Sequence, residues 1–145
     1  MLRPQPLDID QLRQALKTAR RRGVRDSRLV DYAPKVIDLL YPHDSYPHLS
    51  IHQRAAAAER LIVAAIDDLG GQTSRLSAVL FGADPATAHL LLKRRREIAA
   101  DYVGVLPGTF ERGWWERQLL SDLTAKVYRL HQDRATDYIP ATKST

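Results

Sequence analysis

The sequence predicts an all-α protein, built as a single compact domain of five or six helices. Apolar residues recur at intervals of three and four along most of the chain, which is the spacing of one helix face. Glycines and prolines separate these stretches, and no stretch of useful length alternates apolar and polar residues as a strand does. With 145 residues, the chain has the length of one domain. We expect that domain to cover residues 1–133 and residues 134–145 to form a loose tail.

The first two helices are predicted from their caps and from a proline. Asp8 or Asp10 is a suitable N-cap for a first helix that ends at Gly23. Pro34 in a helix interior would remove a hydrogen bond and clash with the preceding turn. We therefore expect a turn near Asp26–Asp31 and a second helix that has Pro34 in its first turn and ends before the next proline.

The third and fourth helices end at glycines. Ser50 is the predicted N-cap of the third helix, which ends at the pair Gly70 and Gly71. Its alanine run, Ala55–Ala58, permits close helix packing, so we expect this helix to form the centre of the core. A short fourth helix then ends at Gly82.

The second half of the chain predicts two longer helices. Asp84 followed by Pro85 is typical of a helix start, an N-cap before a proline at the first helical position. We expect this helix to reach Gly104, and the last helix to end at about Asp133. The apolar stripe of the former is Ala88, Leu91, Leu92, Ile98, Ala99 and Tyr102.

Charge is in excess and unevenly distributed. The chain has 22 Lys and Arg against 17 Asp and Glu, a net charge of +5 at pH 7. Residues 1–28 carry a net +5, residues 29–70 carry −3 and residues 71–145 carry +3. This pattern predicts two basic surfaces, which folding could bring together, and favours an anionic partner.

Composition and motifs exclude several classes of function. The absence of Cys excludes a disulfide framework, a thiolate zinc site, an iron–sulfur cluster and cysteine catalysis. The glycine motifs that bind phosphates and dinucleotides, and the nucleophile elbow, are also missing, so we expect neither an enzyme nor a cofactor. No apolar run approaches the roughly 20 residues that span a bilayer. We expect a cytoplasmic protein that does not contact a membrane.

Three histidines lie close together in the sequence. His43, His48 and His52 fall within ten residues, with Asp44 beside the first. Imidazole and carboxylate groups are suitable zinc or nickel ligands, which makes a metal-dependent enzyme conceivable here. Nothing in the spacing fixes the three rings on one point, so we favour surface histidines and predict no metal site.

Residues 94–120 have the pattern of two helices joined by a tight turn. Ala100 is a small residue where two helices could cross, Gly104 supplies a turn four residues later, and Phe110 would anchor the second helix. The segment resembles a helix-turn-helix DNA-binding unit. An ordinary helical hairpin with a glycine turn needs the same residue types, and both interpretations stay open. Gly113 departs from the pattern, because a large apolar residue is usual there.

The helix-turn-helix resemblance implies a set of DNA contacts. Exposed residues of the second helix would face the major groove, and nearby arginines would bind phosphates. The groove-facing candidates are Gly108, Thr109, Glu111 and Arg112. The phosphate-binding candidates are Arg94, Arg95, Arg96 and Arg117.

Two further features of this region bear on interactions. The basic run Lys93–Arg96 covers all sides of a helix, so at least one of its members should lie near the core. An arginine there could pair with an acidic group such as Asp101, Glu97 or one in the third helix. Trp115 fits the apolar stripe of the last helix, which predicts that Trp114 is exposed. Exposed tryptophan beside arginine is typical of protein interfaces, although Trp114 could equally cap the end of the core.

Four short motifs within residues 76–123 form a recognisable progression: Leu80-Phe81-Gly82, Arg95-Arg96, Ala99-Ala100 and Thr109-Phe110. The segment resembles a helical region that recurs in actinobacterial multidomain proteins, where it precedes effector or signalling domains, some of them in defence systems. That resemblance implies an adaptor or regulatory module. Two functions are therefore expected. The first is a small regulator that binds duplex DNA, for which the helix-turn-helix resemblance implies a homodimer, and the second is a module that binds a protein partner.

Overall fold

The computed structural model describes residues 6–143, with side chains described as far as Arg134. All regular structure within this range is helical, which confirms the predicted all-α class. Eight helices occur there, so the predicted number of five or six is wrong. In chain order they are α1 (Ile9–Arg20), α2 (Asp26–Tyr32), α3 (Pro34–Leu40), α4 (Ile51–Leu69), α5 (Gly71–Leu80), α6 (Leu92–Val103), α7 (Pro107–Arg112) and α8 (Trp114–Lys143).

Several helix starts are those that the sequence predicts. The Asp8 carboxylate accepts hydrogen bonds from two backbone N–H groups of the first turn of α1, at 2.9 and 3.0 Å. Ser50 and Gln53 form a reciprocal capping box at the start of α4. Pro34 is the first residue of α3. Local caps and proline geometry therefore fix these three starts.

The predicted turn near Asp26–Asp31 is wrong, because these residues form α2. The Arg25 side chain provides no cap to this helix. Instead, the backbone N–H of Asp26 donates to the carboxylate of Glu59 on α4, at 2.8 Å. A residue 33 positions away thus caps α2, so the sequence around the helix start does not contain the signal.

The predicted helix start at Asp84 and Pro85 is also wrong. The Asp84 side chain accepts from the N–H of Ala86 at 3.0 Å, and its carbonyl accepts from the N–H of Ala88 at 2.8 Å. These bonds close a turn rather than a continuing helix, and α6 begins only at Leu92. A carboxylate before a proline satisfies N–H groups equally well in a turn and at a helix start.

The predicted last helix is divided at Gly113. Its backbone is extended there, with φ −88° and ψ −161°, which separates the six-residue α7 from α8. Helix α8 continues to Lys143, past the predicted end at about Asp133. Of the predicted loose tail, the side chains beyond Arg134 lie outside the described residues.

Helix α4 lies at the centre of the fold, as its alanine run predicts. It contacts α2, α3, α5 and α8, while α8 also packs along α1. The inward face of α4 is fully buried, including Ala58, Leu61, Ile62 and Ala65. Within residues 6–143, no helix combines the length and the apolar composition that crossing a membrane requires.

Candidate functional site

Arg95 connects the ends of two helices from a fully buried position. Its Nε donates to the carbonyl of Leu90 at 3.0 Å, and one terminal nitrogen donates to the carbonyl of Leu80. The other terminal nitrogen donates to the carbonyls of Arg20 and Arg21, at 2.9 and 3.0 Å. Because α1 ends at Arg20 and α5 ends at Leu80, the guanidinium lies where both helix dipoles favour a cation. Arg95 therefore fixes α6 against the ends of α1 and α5.

The charge of Arg95 is balanced by carbonyl dipoles. Burial, with a smaller contribution from the neighbouring cations Arg96 and Arg20, lowers its pKa to about 10. The side chain is still charged at neutral pH. The prediction of a buried arginine in this run is thus correct, but the predicted carboxylate partner is wrong. Glu97 pairs instead with the exposed Arg94, at 3.7 Å.

The Arg95 site requires two chain segments to approach closely. The N–H of Val24 donates to the carbonyl of Phe81 at 3.0 Å, which joins the segment after α1 to the segment after α5. A Cβ on Gly82 would lie 2.9 Å from the Cα of Gly23, and the φ of Gly82 is +70°. Glycine at position 82 is therefore required by both contact and backbone conformation.

A second ionic group lies beside the first and centres on Glu116, which is 2% exposed. Arg96 binds its carboxylate through two nitrogens, at 2.9 to 3.1 Å. Arg20 reaches the same carboxylate at 2.7 Å. Burial lowers the pKa of Arg20, and the attraction of Glu116 opposes that shift. The carboxylate thus joins α1, α6 and α8.

The segment from α6 to α7 packs in part as a helix-turn-helix unit needs. Ala100 on α6 is buried, and so is the side chain of Phe110 on α7. Gly104 adopts the left-handed conformation, with φ 73° and ψ 30°, and forms the turn. The second helix is short, however. At 1.5 Å per residue, six residues span about 9 Å, and Gly113 ends the helix where a longer recognition helix would continue.

The predicted phosphate-binding arginines differ in their availability. Arg95 has no exposed surface and directs its donors to backbone carbonyls, so its assignment to phosphate is wrong in this structure. Arg96 is 18% exposed and is bound to Glu116. Arg94 and Arg117 are exposed. Two of the four candidates thus serve the interior of the fold.

The predicted groove-facing residues lie on α7. Thr109, Glu111 and Arg112 are exposed, and Gly108 is half-buried. The Glu111 carboxylate lies 3.3 Å from Arg96, and the Nε of Arg112 donates to the carbonyl of Gly108 at 3.3 Å. The structure therefore brings these four residues together on one short helix.

Three of the exposed large apolar side chains among the described residues lie next to α7 in the chain. Tyr102 precedes it, Leu106 is its N-cap residue and Trp114 follows its end, with 51%, 75% and 59% of their surface exposed. We call these three residues the α7 apolar corner. The half-buried Trp115 packs edge-on against Trp114, with ring centroids 5.1 Å apart, and holds the exposed indole in place. With Leu91, these are the four most exposed large apolar side chains among the described residues.

The sequence interpretation missed part of this corner. It assigned Leu91 and Tyr102 to a buried stripe of a helix that begins at Asp84. Because α6 begins at Leu92, Leu91 lies outside the helix and is exposed, while Tyr102 lies within α6 but on its exposed side. Leu106 lies before Pro107, outside any helical repeat of apolar residues, so the sequence pattern does not indicate whether it is exposed.

The three candidate metal-binding histidines do not converge. His43 and His48 lie in the loop between α3 and α4, His52 is near the start of α4, and all three are exposed. The ring of His43 is 3.8 Å from Asp44. No group of three or more metal-binding side chains occurs in the part of the chain that the structure describes.

Comparisons of this chain with protein-family models, with curated proteins and with solved structures find no match.

Proposed function

We propose that this protein is an interaction module that binds a segment of a partner protein at the α7 apolar corner. The observation that carries the proposal is the exposure of Tyr102, Leu106 and Trp114 around one short helix. Exposed apolar clusters are common at protein interfaces, and tryptophan is among the residues that contribute most to binding. The resemblance to an adaptor region agrees with this proposal.

The charges near the corner favour an acidic partner segment. Arg112 on α7 and Arg117, one helical turn after Trp114, are exposed, and within the described residues neither forms an ion pair with a carboxylate. Asp101 is an exposed acid in the same region. A partner segment with apolar residues and an excess of Asp or Glu would complement this surface.

The rigid interior beneath the corner supports the same proposal. Phe110 and the Glu116 ion pairs fix α7 and the start of α8 against α6. A preorganised surface loses less conformational entropy on binding than a mobile one. The buried Phe110 and the Glu116 ion pairs thus hold the helices in place, and the exposed residues of the apolar corner form the contact surface.

The experiment captures partners from the source cells with tagged protein and then titrates a purified partner. Leu106→Ser tests the corner, and Ile9→Ser on α1, an apolar residue that is 43% exposed, is the matched control. We expect 1:1 binding by the wild type and the control, and at least about 30-fold weaker binding after Trp114→Ala, which is ~2 kcal/mol. Equal binding by the wild type, Leu106→Ser and Trp114→Ala would exclude the corner.

DNA reading is a second candidate, favoured by the packing of α6 and α7 around the left-handed Gly104. Thr109 and Arg112 would then contact bases, and Arg94 and Arg117 would contact phosphates. The test titrates labelled genomic fragments at roughly 50 and 200 mM salt, since phosphate-driven binding weakens steeply over that range. Fragment-selective binding at the higher salt, lost in Arg112→Ala, would favour a regulator. Binding at the lower salt alone would reflect net charge.

A further inference from the structure

A cleft of about 270 Å³ lies between α1, α6, α7 and α8, and none of the three residues of the apolar corner lines it. Its charged lining is strongly biased towards cations. The cations come from three separate stretches of sequence, and two carboxylates accompany them. These residues are Arg13, Lys17, Arg20, Arg96 and Arg117, with Glu111 and Glu116.

Folding thus brings together the two basic regions of the sequence. Arg13, Lys17 and Arg20 belong to the basic N-terminal region, and Arg96 and Arg117 belong to the C-terminal one. The pairing of α1 with α8 creates this arrangement. Like charges held together are unfavourable unless an anion neutralises them.

Internal ion pairs neutralise only part of this charge. Glu116 is held by Arg20 and Arg96, and Glu111 lies 3.3 Å from Arg96. Among residues 6–134, no ion pair is formed by Arg13, Lys17 or Arg117. The cleft therefore retains an excess of about three positive charges.

Two buried donors in the lining have no acceptor. The Nε atoms of Arg13 and Arg20 are inaccessible to solvent and form no hydrogen bond. Buried N–H groups in folded proteins are nearly always paired, so each orphaned donor needs an explanation. Because these two atoms are enclosed, the donors open to an anion in the cleft are those of the exposed Lys17 and Arg117.

We infer that this cleft binds the phosphate group of a phosphate monoester. A dianion with three oxygens matches both the excess charge and the forked guanidinium donors. The volume of about 270 Å³ is near the lower end of small-molecule sites, roughly 300–1,000 Å³. A phosphate with a small attached group fits such a cleft, whereas duplex DNA needs an extended track of cations. The monoester is supplied by a small metabolite or by a phosphorylated residue.

The test is an NMR titration of the ¹⁵N-labelled full chain at constant ionic strength. The probes are inorganic phosphate, O-phosphoserine and a short phosphoserine peptide, with chloride as the reference anion. We expect saturable shifts of the Arg13 and Arg20 Nε–Hε signals with phosphate and none with chloride. Tighter binding of the peptide than of O-phosphoserine would identify a phosphorylated residue as the source, and equal binding would identify a small metabolite.

Substitutions distinguish phosphate binding in the cleft from a general effect of the protein's net charge. Lys17→Met and Arg117→Met remove exposed cleft cations, and Arg60→Met removes an exposed cation on α4 that does not line the cleft. We expect each cleft variant to weaken phosphate binding by about fivefold, the strength of one close charge pair in water, and the control to leave it unchanged. Equal weakening by all three variants, shifts equal to those with chloride, or duplex DNA binding with which phosphate does not compete would overturn the inference.

Discussion

Replacing Arg95 with methionine should destabilise the protein strongly. Methionine retains an apolar stem in the same space but provides no donors. The carbonyls of Leu90, Leu80, Arg20 and Arg21 belong to the backbone, so they stay in place when the guanidinium is removed. Helix α5 would then end at a buried carbonyl, and α1 at two partly buried carbonyls, with no bonding partner.

The magnitude follows from two opposing effects. An orphaned buried acceptor costs about 1–3 kcal/mol, and four acceptors lose a donor here. Removing the buried cation also removes its desolvation cost, which offsets part of this loss. The net loss from four carbonyls left without a donor, after this offset, is about 3–5 kcal/mol. Total stabilities are about 5–15 kcal/mol, so we expect this one substitution to remove a large share.

The assay is urea denaturation followed by far-UV circular dichroism, with a thermal melt alongside. Arg94→Met is the matched control, because Arg94 precedes Arg95 on α6 and its side chain is 61% exposed. We expect the Arg95→Met melting temperature to fall by about 6–20 °C, since ~1 kcal/mol corresponds to ~2–4 °C at this size. A free energy of unfolding within about 1 kcal/mol of the control would refute the account of Arg95.

Three further predictions use the same methods. Gly82→Ala should lower the free energy of unfolding by about 1–3 kcal/mol, because its Cβ would meet the Gly23 backbone at a positive φ; wild-type stability would contradict the close approach. Glu116→Gln should cost about 3 kcal/mol, because Arg20 loses its ion-pair partner and Arg96 keeps only Glu111, against less than about 0.5 kcal/mol for the partly exposed Glu97→Gln; equal losses would exclude a structural role for the buried carboxylate. Leu106→Ser should leave the denaturation curve within about 0.5 kcal/mol of wild type while abolishing partner capture, and a large loss of stability would show that the side chain packs internally.

Short-range signals made part of the fold predictable from the sequence. The caps at Asp8 and Ser50 bond to N–H groups two or three residues away, so their effect is visible in a few consecutive letters. Gly104 follows from the same kind of reasoning, since a left-handed residue that ends a helix is usually glycine. The α2 cap from Glu59 crosses between helices, and no local pattern reveals it.

The candidate sites were less predictable, because the sequence does not show which arginine side chains are buried and which are exposed to solvent. The basic run indicates that one arginine faces inward, but it does not indicate which carbonyls receive it. Two of the four carbonyls come from residues 74 and 75 positions away in the chain. The cleft is likewise invisible in the sequence, because it forms only when α1 packs against α8.

The central claim is that the α7 apolar corner binds a partner protein, while the buried contacts of Arg95 and Glu116 hold the helices beneath it in place. The most direct measurement is calorimetric titration of the captured, purified partner into the wild type, Trp114→Ala and the Ile9→Ser control. The account predicts 1:1 binding by the wild type and the control, and at least about 30-fold weaker binding by Trp114→Ala with an unchanged denaturation curve. Equal affinity for all three proteins would contradict it.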